Sequence, residues 1–600
     1  MTTRENIIDK ADQFIRNKGY NAFSFKDISN DIGIKTASIH YHFPTKSDLG
    51  VATIKEHIAR YEVLKKKVAN ESPLIKLESF LAVHTQIKHE NKVCIVGSLA
   101  TDLNTLDESI KDELKIFAKL VIDWLTEVLT EGKEQNIFDF QTSARTKALM
   151  IITNMVAIVQ LSRLTNDDDF ELVRETILTE LRPKKIMKRV VVTGLGAVTP
   201  IGNNVQEYWN SLINGVSGAA PITRFDTTQF KTKFACEVKN FDASPIFEKN
   251  EIRKYDLFTQ YALHAADEAV KNANIDFDTL NKNRIGVIWG CGDGGISTFE
   301  EQFGEYKLGN GTPRFSPFFI PKRIVNIASG VISIKYGLRG INYTTAAACS
   351  ASNTAIIDAF NYIRWGKADM IISGGSEASV SESSIGGFNA SKALSTLNED
   401  HSKASRPFDV TRDGFVLGEG AGVVILESYE HAVKRNAVIL AEIVGGGLAA
   451  DAYHLTGTHP EGEGAVLGME LALEEAGITP DKIDYINAHA TSTPAGDLSE
   501  LKAIEKVFGI NPNANISATK SMTGHLLGGA GAIEAVACIK ALQENIVPPT
   551  INTQTIEQDY AEKFNLTLGK AQAREVNYAM SNTFGFGGHV ASSIFKKFKE

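Results

Sequence analysis

Residues 343–366 read YTTAAACSASNTAIIDAFNYIRWG, and the fold of most of the chain follows from how this stretch is parsed. A β-branched and small-residue run leads to Cys349. After it Ala355, Ile356, Ala359, Phe360 and Ile363 recur at helical spacing until Gly366. The pattern is strand, turn, helix, with the cysteine at the turn. A thiol placed there meets the positive end of a helix and free backbone N–H groups, which stabilise a thiolate. Ala346–Ala348 permit a close backbone approach. A buried, inert cysteine beside alanines fits the same letters, so the stretch needs partners to become a site.

Similar units recur on both sides: VVVTGLG (190–196), RIGVIWGCGDGG (284–295), ADMIISGGSEA (368–378), GVVILE (422–427) and DYINAHA (484–490) alternate with amphipathic segments. From Val190 onward the chain is therefore α/β. Residues 1–181 are different, with few glycines, long helical periodicity and hardly a strand candidate. An all-helical unit followed by a large α/β unit is the parse, with 182–186 as the linker. Pro183 stops the preceding helix, and Met187 opens a fresh strand as the start of a once-separate chain would.

Two histidines supply the partners. His489 ends the strand IDYINAHATSTPAGD, and His525 lies in ISATKSMTGHLLGGAGAIEA, a loop entering a small-residue helix. Either alone reads as a hydrogen-bonded core residue. A cysteine and two histidines, each at a strand end or glycine-rich turn before a helix, read as one converging site.

Composition sets the outer limits. Six hundred residues exceed one hydrophobic core, while 43% hydrophobic and 22% charged residues exclude a disordered or fibrous chain. A net charge of −9 excludes a polybasic coat for nucleic acid, though not a local basic patch. Five scattered cysteines make no disulfide framework and suit a reducing compartment. No export segment is visible, and the most apolar run, 148–161, is short for a membrane span and contains Asn154 and Gln160. A cytoplasmic protein without membrane contact is expected. VVVTGLGAVT mimics a dinucleotide fingerprint, but Thr199 and Pro200 spoil the helix that should receive the pyrophosphate. No HExxH, paired CxxC or Walker sequence occurs, so no metal or nucleotide is expected.

In the helical unit a first helix is predicted over Arg4–Asn17, a second over Lys26–Ile32 and a third over Thr36–His42, with Gly33 at the tight turn. Residues 1–67 carry about +4, as phosphate contact requires. The stretch FSFKDISNDIGIKTASIHYHFPTKSDL resembles the TetR family of transcriptional regulators, whose recognition helix is followed by an aromatic–spacer–lysine element, here Phe43 to Lys46. The resemblance implies a helix-turn-helix DNA-binding domain over 1–67 and a helical ligand-binding and dimerisation region over 68–181. Lys35, Thr36 and Ser38 would approach base edges, and His40, Tyr41, His42 and Lys46 phosphates or flanking bases. His40 stands where the family usually has tyrosine. The apolar helix at 148–161 suits a dimer interface.

The larger unit resembles the β-ketoacyl-[acyl-carrier-protein] synthases, closest to the type II condensing enzymes of the thiolase superfamily. AACSAS around Cys349, NAHATSTPAGD around His489, TKSMTGH with Lys520 and His525, and SNTFGFGG at 581–588 carry it. SRPFDVTRDGFVLGEGAG (405–422) and VPPTIN (547–552) support it. The resemblance implies a five-layered αβαβα sandwich of two similar halves, 187–440 and 441–600. It also implies a nucleophilic Cys349 that accepts an acyl chain, an oxyanion site at the N–H groups of Cys349 and Phe586, and enolate stabilisation by His489 and His525. Lys520 and Glu534 would support the histidines, Thr491 and Thr493 would meet the pantetheine arm, and Phe388 would line the pocket. Lys249, Arg253 and Lys254 match the family's surface for acidic carrier proteins. No cofactor is tightly bound in such enzymes; the acyl carrier protein brings the phosphopantetheine, and the working form is a homodimer.

Three positions depart from the family. Asp293 stands where members acting on plain fatty chains place an aliphatic residue; a buried acid is costly unless paired, so a polar, short or unusual acyl group is expected. Ala490 replaces a glycine, and GGHVASS replaces a common Thr-Asn, both matters of packing. Two rivals to a DNA-binding condensing enzyme stay open: a regulator whose synthase-like half only senses acyl carriers, and an enzyme whose amino-terminal half no longer binds DNA. The retained Cys349, His489 and His525 favour catalysis.

Overall fold

The computed structural model describes residues 2–182, 187–510 and 512–599. The chain divides into two compact units, Met1–Ile186 and Met187–Glu600. Of the expected linker, Pro183–Ile186 lie outside the described residues.

Nine helices make up the described part of the first unit: α1 (Thr3–Lys18), α2 (Phe25–Ile32), α3 (Thr36–His42), α4 (Lys46–Lys67), α5 (Pro73–His89), α6 (Ile95–Thr101), α7 (Glu108–Glu134), α8 (Ala144–Leu161) and α9 (Asp167–Leu181). Ile7, Ala11 and Ile15 of α1 are fully buried, as their spacing predicts, and Phe14 is half-buried beside them. Gly33 closes α2 in the left-handed region (φ 71°), where the chain turns into α3. Capping boxes begin α1 (Thr2 with Glu5), α2 (Ser24 with Asp27) and α4 (Thr45 with Asp48). Helix α8 is longer than its apolar run. At 18 residues and mean hydropathy 1.2 it passes for a membrane span by length and composition, which corrects the expectation of a shorter segment.

The second unit is built on one eleven-stranded sheet. Its strands are β1 (Val190–Val198), β2 (Ile285–Gly290), β3 (Asn342–Thr345), β4 (Met370–Glu377), β5 (Gly420–Ser428), β6 (Ala441–Ala450), β7 (Tyr485–Asn487), β8 (Asn515–Ser517), β9 (Asn565–Leu566), β10 (Tyr578–Gly585) and β11 (His589–Lys596). Their spatial order is β9-β8-β7-β10-β11-β6-β1-β5-β4-β2-β3. The order contains a repeat. From β1 outward the pairings run antiparallel, antiparallel, parallel, parallel (β1-β5-β4-β2-β3), and from β6 outward they run the same way (β6-β11-β10-β7-β8). The halves join where β1 pairs with β6.

Helices complete the layers. α11 (Ala351–Arg364) and α14 (Ala530–Glu544) share one core with strands of both halves. α14 is apolar almost all round, with every residue from Ala530 to Cys538 buried, as a helix between two sheet faces must be. α10 (Leu257–Asn272) packs on the outer face of the first half, and α12 (Glu463–Ala476) and α13 (Pro494–Phe508) cover that of the second. This is the expected αβαβα sandwich. The glycines of VVVTGLG serve this packing: a Cβ on Gly194 would lie 2.5 Å from the Ala269 carbonyl oxygen, and one on Gly196 1.8 Å from that of Ala265. They let α10 lie against β1, and so account for the nucleotide-like letters without a nucleotide.

Candidate active site

Cys349 follows β3 on a turn that glycine would normally occupy. Ala348 has φ 47°, the left-handed region that strains any residue with a side chain. The turn continues as one 3₁₀ turn (Ala348–Ser350) into α11, which puts the sulfur at the start of a central helix. Cys349 is 9% exposed. The Phe586 N–H lies on the sulfur's side of the site, where it favours the charged form, and a Cβ on Gly585 would sit 3.1 Å from the Cys349 nitrogen. β10 thus delivers a second N–H to the place where Cys349 presents its own.

Burial pushes the Cys349 thiol up to about 12; the Lys520 ammonium and the Phe586 N–H oppose this, while Glu377 and Asp293 add to it. The expectation of a standing thiolate is therefore corrected. Desolvation outweighs the helix start, and the resting sulfur keeps its proton.

The two imidazoles face each other at 5.3 Å between ring centroids and 86° between planes. Burial, then the charge of Lys520, holds both well below the ordinary histidine range, so both rings are neutral. In each ring Nδ1 is enclosed with no hydrogen-bond partner. A proton there would lack an acceptor, which favours the tautomer carrying Nε2–H.

Each ring is fixed by its backbone. The N–H groups of His489 and Ala490 donate to the Glu500 carboxylate on α13 at 2.9 and 2.8 Å. Three residues earlier on that helix, Asp497 accepts from Ser492 (3.1 Å) and Phe408 (2.9 Å) and pairs with Arg412 at 3.4 Å. The His525 N–H donates to Val416 (2.8 Å), its carbonyl accepts from Gly418 (2.9 Å), and its ring lies edge-on to Phe415 at 5.3 Å. Lys520 and Glu534 form a salt bridge at 2% and 1% side-chain exposure, and neither lines the cavity.

That cavity, about 460 Å³, brings together Cys349, His489, His525, Asp293, Phe388 and Phe586. Thr491 and Thr493 line it too, with their hydroxyls 3.1 Å apart. Phe388 and Phe586 lie 6.4 Å apart between centroids, and Phe586 is 38% exposed. Asp293 is an exposed residue of the cavity wall, not the buried acid expected. Lys249, Arg253 and Lys254 lie outside the cavity on or just after a four-residue helix, with Glu248 and Glu251 among them.

Sequence reasoning missed the acids that hold this site: Glu377, Asp497 and Glu500, none more than 1% exposed. Burial raises Glu377 and Glu500 to about 7 and Asp497 to about 6. For two of them the signal was available: Asp497 and Glu500 are three apart on one helix face soon after the histidine, whereas Glu377 is one polar residue among others in the strand MIISGGSE and gave none.

In the helical unit Lys35 is exposed at the start of α3, and Tyr41 is 84% exposed. Ser38 and His42 are half-buried, and the Thr36 hydroxyl donates to Ser29 at 3.1 Å, joining α3 to α2. His40 sets its ring edge-on to Phe25 at 4.8 Å. Lys46 departs from expectation. Its ammonium donates to the Tyr20 and Phe23 carbonyls, each at 2.6 Å, and lies over both rings, which makes it a structural tie and not a phosphate contact.

Comparison with known proteins gives the same class. Residues 187–432 match the beta-ketoacyl synthase N-terminal domain and 440–554 its C-terminal domain, while 7–53 match the bacterial regulatory proteins of the tetR family. A 3-oxoacyl-[acyl-carrier-protein] synthase 2 of Synechocystis sp. is 46% identical over 413 residues, 69% of this chain and 99% of the relative. The ishigamide ketosynthase/chain length factor has a TM-score of 0.65 at 34% identity, over 69% of this chain and 100% of that one. A type II polyketide acyl-carrier protein in complex with its ketosynthase bound to the hexaketide has a TM-score of 0.61 at 32% identity, with the same coverage. The chain belongs to the beta-ketoacyl synthase family and carries a tetR-type domain ahead of it.

Proposed function

We propose that the second unit is a 3-oxoacyl-[acyl-carrier-protein] synthase that lengthens an acyl chain by decarboxylative condensation. One observation carries the reading: in a single cavity the Cys349 sulfur, at a helix start and beside Phe586, shares the wall with two neutral imidazoles. The thiol attacks the thioester of an acyl carrier protein. Its proton leaves as the C–S bond forms and ends on the departing pantetheine sulfur, so the high resting basicity of Cys349 costs only a transient charge. The N–H groups of Cys349 and Phe586 hold the oxyanion. A malonyl thioester then loses CO2, and Nε2–H of His489 and His525 stabilise the enolate oxygen without adding a positive charge. The carbanion attacks acyl-Cys349, the C–S bond breaks as the C–C bond forms, and the expelled thiolate takes a proton from solvent water entering the open cavity. Lys520 acts through the rings as a positioning residue: its charge keeps them neutral, and Glu534 balances it.

Thr491, Thr493 and Phe388 would guide the pantetheine arm and the chain, and the carrier protein brings that arm, so no resident cofactor is needed. Lys249, Arg253 and Lys254 are the proposed carrier contact. The first unit would bind DNA through Lys35, Thr36, Ser38 and Tyr41. Leu149, Met150 and Leu161 of α8, 40–52% exposed, suit a helix–helix dimer interface better than a bilayer, given Arg145 and Lys147 on the same helix. A cytoplasmic homodimer follows. The test is intact-mass spectrometry after incubation with acyl-loaded carrier protein. The expected result is an added acyl mass on the unaltered chain and none on Cys349→Ala. A mass added equally to both refutes the assignment.

A further inference from the structure

The turn after β2 is held on two sides. Glu377, the last residue of β4, is fully buried. Its carboxylate accepts N–H bonds from Gly292 (2.8 Å), Asp293 (3.1 Å) and Gly294 (3.3 Å), and from Gly528 (3.1 Å), three residues beyond His525. It therefore ties the Asp293 turn to the wall that carries the imidazole. On the other side the Gly295 N–H donates to the Arg323 carbonyl at 3.1 Å, and a Cβ on Gly294 would lie 2.6 Å from that oxygen. A turn pinned in this way cannot withdraw Asp293 from the cavity.

The Asp293 side chain meets Cys349 across that cavity and, among the described residues, takes part in no ion pair or hydrogen bond. An apolar chain laid along this wall strips water from the carboxylate and returns nothing. Repulsion from Glu377 below then acts with less screening. A chain carrying a hydroxyl or N–H replaces the lost water with a charge-assisted hydrogen bond.

We propose that Asp293, fixed by Glu377, selects the acyl group: the chain carried on Cys349 bears a hydroxyl or N–H donor that reaches Asp293, and an unsubstituted saturated chain is a poor substrate. This rests on the reading of Cys349 as the acylated nucleophile. The test loads carrier protein with octanoyl, 3-hydroxyoctanoyl, 5-hydroxyoctanoyl or 8-hydroxyoctanoyl groups and follows acylation of the full chain by intact mass. At least one hydroxylated chain should react at least about tenfold faster than octanoyl; a fully buried site built for a hydrogen bond rejects an analogue lacking it by about 10⁴–10⁵, and Asp293, being exposed, retains only part of that. Asp293→Ile should bring the ratio near one by speeding octanoyl, whereas a merely structural role would slow all four chains alike. Asp293→Asn, which keeps the shape and removes the charge, should move the ratio the same way. Octanoyl reacting as fast as every hydroxylated chain, or a ratio unchanged in both variants, overturns the selection alone. No acylation by any chain overturns the condensing assignment with it.

Discussion

Replacing Lys520 by methionine removes one charge from a closely enclosed ion pair. Glu534 keeps one carboxylate oxygen buried without a partner, and even with the ammonium beside it burial raises its carboxyl to about 7. The rise from 4.5 to about 7 corresponds to about 3 kcal/mol at 1.36 kcal/mol per unit. The sign follows from linkage. The unfolded chain releases this proton near 4.5 and the folded one near 7, so Glu534 makes stability fall as pH rises through that window. In Lys520→Met the lowering influence of the ammonium is gone, and the upper edge of the window moves to higher pH. Near neutrality, removing one partner of a buried pair costs about 3–5 kcal/mol. Adding Glu534→Gln removes both charges and should restore most of that loss. Catalysis should respond differently. Lys520 depresses the basicity of His489 and His525, so in both variants the rings protonate at higher pH. The acid limb of the condensation rate should shift upward equally in the single and double variants. Stability is read from urea unfolding by tryptophan emission in a Trp124→Phe background, since the other three of the four tryptophans, Trp209, Trp289 and Trp365, lie in the second unit. An acid limb unmoved in the double variant, or a double variant no more stable than the single, refutes the claim that Lys520 acts on the rings by charge and on Glu534 by pairing.

Gly585→Ala should lower acylation by at least about 100-fold, the scale of losing one oxyanion donor, because the new Cβ would meet the Ala347 carbonyl at 2.7 Å and the Cys349 nitrogen at 3.1 Å. A stopped assay of carrier-protein acylation checks this. Lys46→Met should destabilise the helical unit by about 2 kcal/mol, the range for a hydrogen bond to a charged group, yet leave the salt slope of DNA binding unchanged. Lys35→Ala should instead weaken binding to the specific site by about 1–3 kcal/mol and relax its preference at one base position, with little loss of stability, measured by gel shift on DNA upstream of the protein's own coding region.

The legible part of this molecule was whatever local letters determine. Cys349 at a strand-to-helix turn, Gly33 between two steep helices and the change from helical to α/β patterning near residue 187 all follow from spacing and turn chemistry. The illegible part was what long-range burial decides. Lys46 sits in the letters of a phosphate contact, but the carbonyls that claim it come from Tyr20 and Phe23, more than twenty residues away. The thiol basicity of Cys349 could not be read from its helix, because burial in the folded unit outweighs the local field. Glu377 looked like the end of a strand; its role appears only when the sheet order brings Gly292 and Gly528 to the same carboxylate.

The internal repeat explains why the reactive groups meet. In each half the two outer parallel strands end on the cavity side: β2 and β3 lead to Asp293 and Cys349, and β7 and β8 lead to His489 and His525. Groups at the carboxyl ends of parallel strands share one rim, the usual seat of a ligand in such sheets. By strand order Cys349 corresponds to His525, each before a central helix, and Asp293 corresponds to His489. One half therefore offers a nucleophile and an acceptor, and the other offers two neutral N–H donors. The donors suit the oxygen of an enolate. The acceptor has no such task in the condensation, since a negative group beside Cys349 only opposes the sulfur anion, as its effect on the thiol already indicates. A carboxylate kept at that point against this penalty, and clamped there by a second acid, makes sense if what it accepts from is the acyl chain itself.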